Sequence, residues 1–152
     1  MASRQAGYKA RMLAALMVVF ACWANVTIAG VNDDLLEAAT RGDLPAVKGL
    51  IAKGADVNTK ARNGTTVLMV ASAGGFVEVV QLLLAKGADV NTRRYDGGTA
   101  LIAASDQSHK EVVELLLARG ADVNARDNDG KSALIHSHQR GITELLIRAG
   151  AK

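Results

Sequence analysis

The string Gly-Ala-Asp-Val-Asn occurs three times, at Gly54–Asn58, Gly87–Asn91 and Gly120–Asn124, and each copy follows the last by 33 residues. A fourth start, Gly150-Ala151, closes the chain. Other positions keep the same period: Gly64, Gly97 and Gly130, and Leu35, Leu68, Leu101 and Leu134. Self-similarity at such a period predicts stacked units. One unit of this size cannot bury its own apolar face, and about three are needed for stability. The chain offers four, about 31–61, 62–94, 95–127 and 128–152.

Each unit reads as a pair of helices. Thr66, Thr99 and Ser132 can place a hydroxyl at a helix N-cap, and Asp33 holds that place in the first unit. A short helix follows, with Leu68, Val70 and Ala71, or Leu101, Ala103 and Ala104, turned inward. Gly42, Gly75 and Gly141 suit a left-handed stop to it. The second helix carries Val79, Val80, Leu82, Leu83 and Leu84, or Val112, Val113, Leu115, Leu116 and Leu117. Its apolar residues cover most of the circumference, so it must be buried between neighbours. Gly54, Gly87, Gly120 and Gly150 end it, and the polar stretch from Asn58 to Gly64 and its equivalents predicts a projecting β-turn. Ser108 stands where the other units have glycine; if that site is left-handed, the side chain costs about 1–2 kcal/mol.

The fourth unit is short. Aligning Glu144 with Glu78 and Glu111 leaves six residues to the closing glycine where the others have nine. Either the last helix loses nearly a turn or the turn between helices is cut. Three residues is close to one helical turn, so Leu145, Leu146 and Ile147 are expected to face inward still.

The pattern resembles the ankyrin repeat. Gly64-Thr65-Thr66-Val67-Leu68, Gly74-Gly75-Phe76-Val77-Glu78-Val79-Val80 and Leu82 through Asn91 follow its motif, and His109 and Glu111 match its G-H-x-E segment. The proline and histidine of the family's T-P-L-H are absent from every unit. The resemblance spans residues 31 to 152. It implies an all-α solenoid of four stacked helix-turn-helix repeats with projecting β-turns, which binds other proteins through the turn tips and the exposed side of the first helices.

Charge divides the chain in two. Residues 1–29 hold Arg4, Lys9 and Arg11 and no acidic residue, so the formal charge of +3 belongs to this segment. The remainder is balanced, with 15 residues of each sign, which argues against a nucleic-acid binder. The basic start, the apolar run from Met12 to Phe20 and the small residues Thr27 and Ala29 predict a secretory signal peptide over 1–29, with Ala24 a second possible cleavage point. The run is short for a membrane span, which needs about 20 residues. An uncleaved anchor over 12–29, or a lipoprotein at Cys22, are the alternatives. Cys22 is the only cysteine, so a chain cut after Ala29 relies on packing alone.

Catalytic and metal constellations are not evident. His136 and His138 are two residues apart, which on a helix points them away from each other. Asp127-Asn128-Asp129-Gly130-Lys131 lacks the acid that would close a calcium loop. No cofactor is expected, and no catalysis.

The resemblance places candidate partner-binding residues at Lys60, Arg62, Asn63, Arg93, Arg94, Tyr95, Asp96, Arg126, Asn128 and Asp129 in the turns. On the first helices it places them at Thr40, Arg41, Asp106, Gln107, Gln139 and Arg140. None is needed for the core. Lys60, Arg62, Arg93, Arg94 and Arg126 line up as a basic stripe that could meet an acidic surface, with Tyr95 in its middle. The expected function is a periplasmic or secreted monomeric module that binds another protein. The alternatives are an inhibitor or immunity protein that blocks a toxin or enzyme, and a metal carrier using His136 and His138.

Overall fold

The computed structural model describes residues 30–152; the predicted signal peptide lies outside the described residues. Eight helices follow one another in pairs. They are α1 (30–41), α2 (Leu44–Ala52), α3 (Val67–Ala73), α4 (Val77–Ala85), α5 (Ala100–Asp106), α6 (Lys110–Ala118), α7 (Ala133–His136) and α8 (Arg140–Arg148). The odd-numbered helices from α3 to α7 stack in one row and the even-numbered ones in another. Two isolated antiparallel bridges, Lys60 with Thr66 and Arg126 with Ser132, tie the projecting turns at their bases.

Two of the predicted caps form. The Thr66 side chain accepts the Met69 N–H at 3.2 Å, and the Thr99 side chain accepts the Ile102 N–H at 3.3 Å. Ser132 occupies the equivalent place but makes no cap bond, and its buried Oγ has no partner. Asp33 is not a cap: α1 already runs through it, and the cap of the first pair is Asp43, which accepts the Ala46 N–H ahead of Pro45 in α2.

The core lies between the two rows. Leu35, Leu68 and Leu101 are buried, and so are Val79, Val80 and Leu83 and their equivalents Val112, Val113 and Leu116. Val70 and Ala103 are only half-buried and turn to the concave side instead of the core.

Every helix but α7 ends by one device. In the second pair the Phe76 N–H reaches back to the Ala71 carbonyl at 3.1 Å across Gly75, whose φ is +71°. This is the Schellman arrangement, with the left-handed residue just past the helix. The third pair keeps the same bonds, His109 N–H to the Ala104 carbonyl at 2.9 Å, although its left-handed residue is Ser108 at φ +63°.

The fourth pair corrects two expectations. Its second helix, α8, is nine residues long, as are α4 and α6, whereas α7 has four residues where α3 and α5 have seven. The three missing residues therefore come out of the first helix. Gly141 is not a helix stop but lies in the first turn of α8, in the register of Glu111, and Glu144 falls in that of Glu114. This register buries Ile142 and Leu146 and leaves Ile147 56% exposed, facing out instead of in.

Candidate functional site: the concave groove

Successive repeats are joined by the asparagine that ends each Gly-Ala-Asp-Val-Asn string. The Asn91 Oδ1 accepts the Asp122 N–H at 2.8 Å, and its Nδ2 donates to the Gly120 carbonyl at 3.1 Å. Asn58 does the same with Asp89 and Gly87, and Asn124 with Lys152 and Gly150. The aspartate two residues earlier accepts the asparagine's own N–H, as Asp89 does from Asn91 at 2.9 Å, and so fixes the turn that aims the amide. The five conserved letters of the string are thus a helix stop, a packing alanine, a turn, a packing valine and a clamp on the next unit.

The fixed repeat spacing lines up the inner faces of the first helices. Glu37, Val70, Ala103 and His136 form one row, and Thr40, Ala73 and Asp106 a second. Where the middle repeats place Val70, Ala73, Gly74, Gly98 and Ala103, side chains are small or missing, and the concave face hollows into a groove of about 640 Å³. Met69 and Ile102 lie in its floor. Arg94 and Asp96 stand on its rim from one turn, Asp127, Asn128 and Asp129 from the next, and Thr40, Asp106 and Gln107 from the helices.

The groove's charges are arranged in two groups. Arg94 binds Asp96 in a two-pronged pair, with Nε to Oδ1 at 2.8 Å and Nη2 to Oδ2. The guanidinium, helped by the Gly98 N–H, holds the Asp96 carboxyl down at about 2, and the same bond raises the arginine. At the far end His136 Nε2 lies 2.8 Å from Asp127 Oδ2, while its Nδ1 lies 3.5 Å from Asp106 Oδ1. That bond to His136, with the Lys131 and Asp129 N–H groups on Oδ1, lowers the Asp127 carboxyl below its ordinary range. His138 Nε2 is 3.9 Å from the same Asp106 oxygen. Helical spacing would have pointed the two histidines apart, but α7 ends at His136, and beyond it the chain brings both to Asp106. Among the described residues no group of three or more histidine, cysteine or acidic side chains is placed to hold a metal.

The candidates from the sequence separate into those on the groove and those off it. Arg94, Asp96, Asp106, Gln107, Asn128 and Asp129 line it, with Thr40. Arg41, Lys60, Arg62, Asn63, Arg93, Tyr95, Arg126 and Arg140 do not. Several that the sequence leaves free are occupied in holding turns together. Arg93 donates to the Arg126 carbonyl, Arg126 to the Gly130 carbonyl at 2.8 Å, and Asn128 to the Tyr95 carbonyl at 3.1 Å. Asn63 caps its own turn through Thr65 N–H. Arg41 pairs with Glu37 and Arg140 with Glu144 along their helices. The basic stripe is therefore broken: of its five members only Lys60 and Arg62 make no side-chain bond among the described residues. Tyr95 is 75% exposed and lays its ring against Gly64, where a Cβ would sit 2.9 Å from it.

Met69, Val70, Ile102, Ala103, Asp127 and His136 line the groove without having been candidates. In the sequence His136 enters only the metal-carrier alternative, beside His138. The repeat register could have found the inner row, since each of its members is 33 residues from the next.

Among the described residues no helix is long and apolar enough to cross a membrane. The chain has no match among curated proteins. A family model described as ankyrin repeats (3 copies) matches residues 35–127. Ankyrin repeats serve protein–protein interaction in general and are typically not catalytic. With the repeat spacing, the paired helices and the glycine stops, that match shows that the chain belongs to the ankyrin-repeat family.

Proposed function

We propose that this is an exported binding module that captures another protein in its concave groove and performs no catalysis. The observation that carries the reading is the groove itself. Small side chains at Val70, Ala73, Gly74 and Ala103 open an apolar floor inside a polar rim, a combination that suits docking of a partner segment. Export rests on the basic, apolar and small-residue order of residues 4–29, which suits a periplasmic or secreted product of a bacterial cell.

The test is a capture from envelope extract, using protein made from the full chain and purified in the form that accumulates. Ala103→Phe is the control. Its position carries Glu37 and His136 in the outer repeats, so the stack tolerates a larger side chain there, and the ring would fill the groove. A protein retained by the parent and lost with Ala103→Phe supports the reading. Equal retention by both refutes the groove. Sequencing the N-terminus of the accumulated form tests export: a start at Gly30 or Asn25 supports it, and an intact Met1 in the cytosolic fraction opposes it.

A further inference from the structure

We propose that the groove is selective for a cationic side chain, arginine or lysine, carried between apolar residues on a segment of the partner protein. This rests on the concave face being the binding face. The argument is one of charge complementarity over an apolar floor. Arg94 is the one arginine or lysine among the groove-lining residues, and Asp96 already neutralises it through both prongs. Asp106, Asp127 and Asp129 remain, and the one further titratable side chain facing them inside the groove, His136, which lies 2.8 Å from Asp127 and 3.5 Å from Asp106, can offset only one of the three. Lys131 approaches Asp129 from outside at 3.9 Å, but the side chains are 50% and 78% exposed, and such a pair is weak.

Asp106 is the group best placed to meet a ligand. Its side chain is 43% exposed; its Oδ2 accepts from Gln107 at 2.8 Å, and its Oδ1 faces His136 Nδ1 at 3.5 Å and His138 Nε2 at 3.9 Å, both longer than a hydrogen bond. Met69, Val70, Ile102 and Ala103 provide the apolar surface next to it. Only arginine and lysine combine a long aliphatic stem, which can lie over such a floor, with a charged head that reaches a carboxylate at its edge. An acidic side chain entering the same space would meet three carboxylates. Lys60 and Arg62, the turn-edge cations without a side-chain bond, lie off the groove and create no anion site in it.

The probe is the pentapeptide acetyl-Ala-Leu-Arg-Leu-Ala-amide, with versions carrying Lys, citrulline or Glu in the centre. Citrulline keeps the shape of arginine and removes its charge. Binding is read from backbone amide shifts of the protein. The Arg and Lys peptides should shift amides of residues 98–107 and 127–129 saturably, and the citrulline peptide should bind about fivefold more weakly. Asp106→Asn, an exposed change, should weaken the Arg peptide by about fivefold and leave citrulline unaffected. Salt at about 0.5 M should narrow the gap between Arg and citrulline. Equal binding of Arg and citrulline in the groove overturns the charge selectivity while leaving the concave face as the binding face. Shifts confined to other surfaces overturn both. The absence of a saturable shift with all four peptides overturns the selectivity, and the Ala103→Phe capture still decides the groove.

Discussion

Ser108 sits in the left-handed region at φ +63°, with the same reach-back bonds that Gly42 and Gly75 close. A side chain there costs about 1–2 kcal/mol. Glycine would relieve the strain but gives about 0.5–1 kcal/mol back as extra freedom of the unfolded chain. Ser108→Gly should therefore stabilise the fold by about 0.5–1 kcal/mol; an unchanged or lower melting temperature would contradict this. The reverse change at Gly75 is closed off twice, by its φ of +71° and by the His109 ring, which a Cβ would approach to 2.4 Å. Another pair of residues is open to improvement. Ser72 and Ser105 are fully buried, one repeat apart, and their hydroxyls have no hydrogen-bond partner. The first repeat has Ala39 at this position, also fully buried. Burying an unpaired hydroxyl is costly and alanine is the better helix former, so the double change Ser72→Ala, Ser105→Ala should raise stability by about 1 kcal/mol in denaturant unfolding. A loss of stability would mean that those hydroxyls are satisfied in solution.

Among the elements, the helix pairs were legible because their signals are local. A threonine before an apolar stretch, a glycine after it and a constant period need no knowledge of the neighbouring repeat, and Thr66, Thr99 and Gly87 read correctly. The errors arose where one letter carried an alignment. Matching Glu144 to Glu111 put the gap in the last helix or the turn, whereas burial of Ile142 and Leu146 sets the true register and places the loss in α7. Asp33 misled for a related reason, since a good capping residue says nothing about how far a helix extends before it. The groove was half legible. Seven of its residues were candidates, but the bonds that occupy Arg93, Asn128 and Arg126 run between repeats, where no local pattern reports them. The asparagine clamp belongs to this scale too. Asn91→Ala removes two bonds that join the second unit to the third, and should cost about 1–2 kcal/mol with the helices still formed. Circular dichroism of folded variant and parent should coincide while the unfolding midpoint falls; an unmoved midpoint would reduce the clamp to decoration.

Across the whole molecule, each repeat touches only its neighbours, so stability is distributed along one direction. The fourth repeat is the weakest. Its first helix has four residues, buries only Ala133 and lacks both the Ser132 cap bond and a left-handed stop. Amides of α7 should therefore exchange with solvent faster than those of α5, which has seven residues and five of them buried. Hydrogen-exchange rates that match in the two helices would show that His136, bonded to Asp127, anchors the stub fully.

The asparagine clamps have a mechanical consequence. Each grips only the unit that follows it, so a pull on the C-terminus loads one clamp at a time instead of the array at once. The molecule would yield as a zipper does, from Asn124 back to Asn91 and then Asn58; the first parting frees the short last unit, and each later one lets out the contour of 33 residues, about 110 Å of slack.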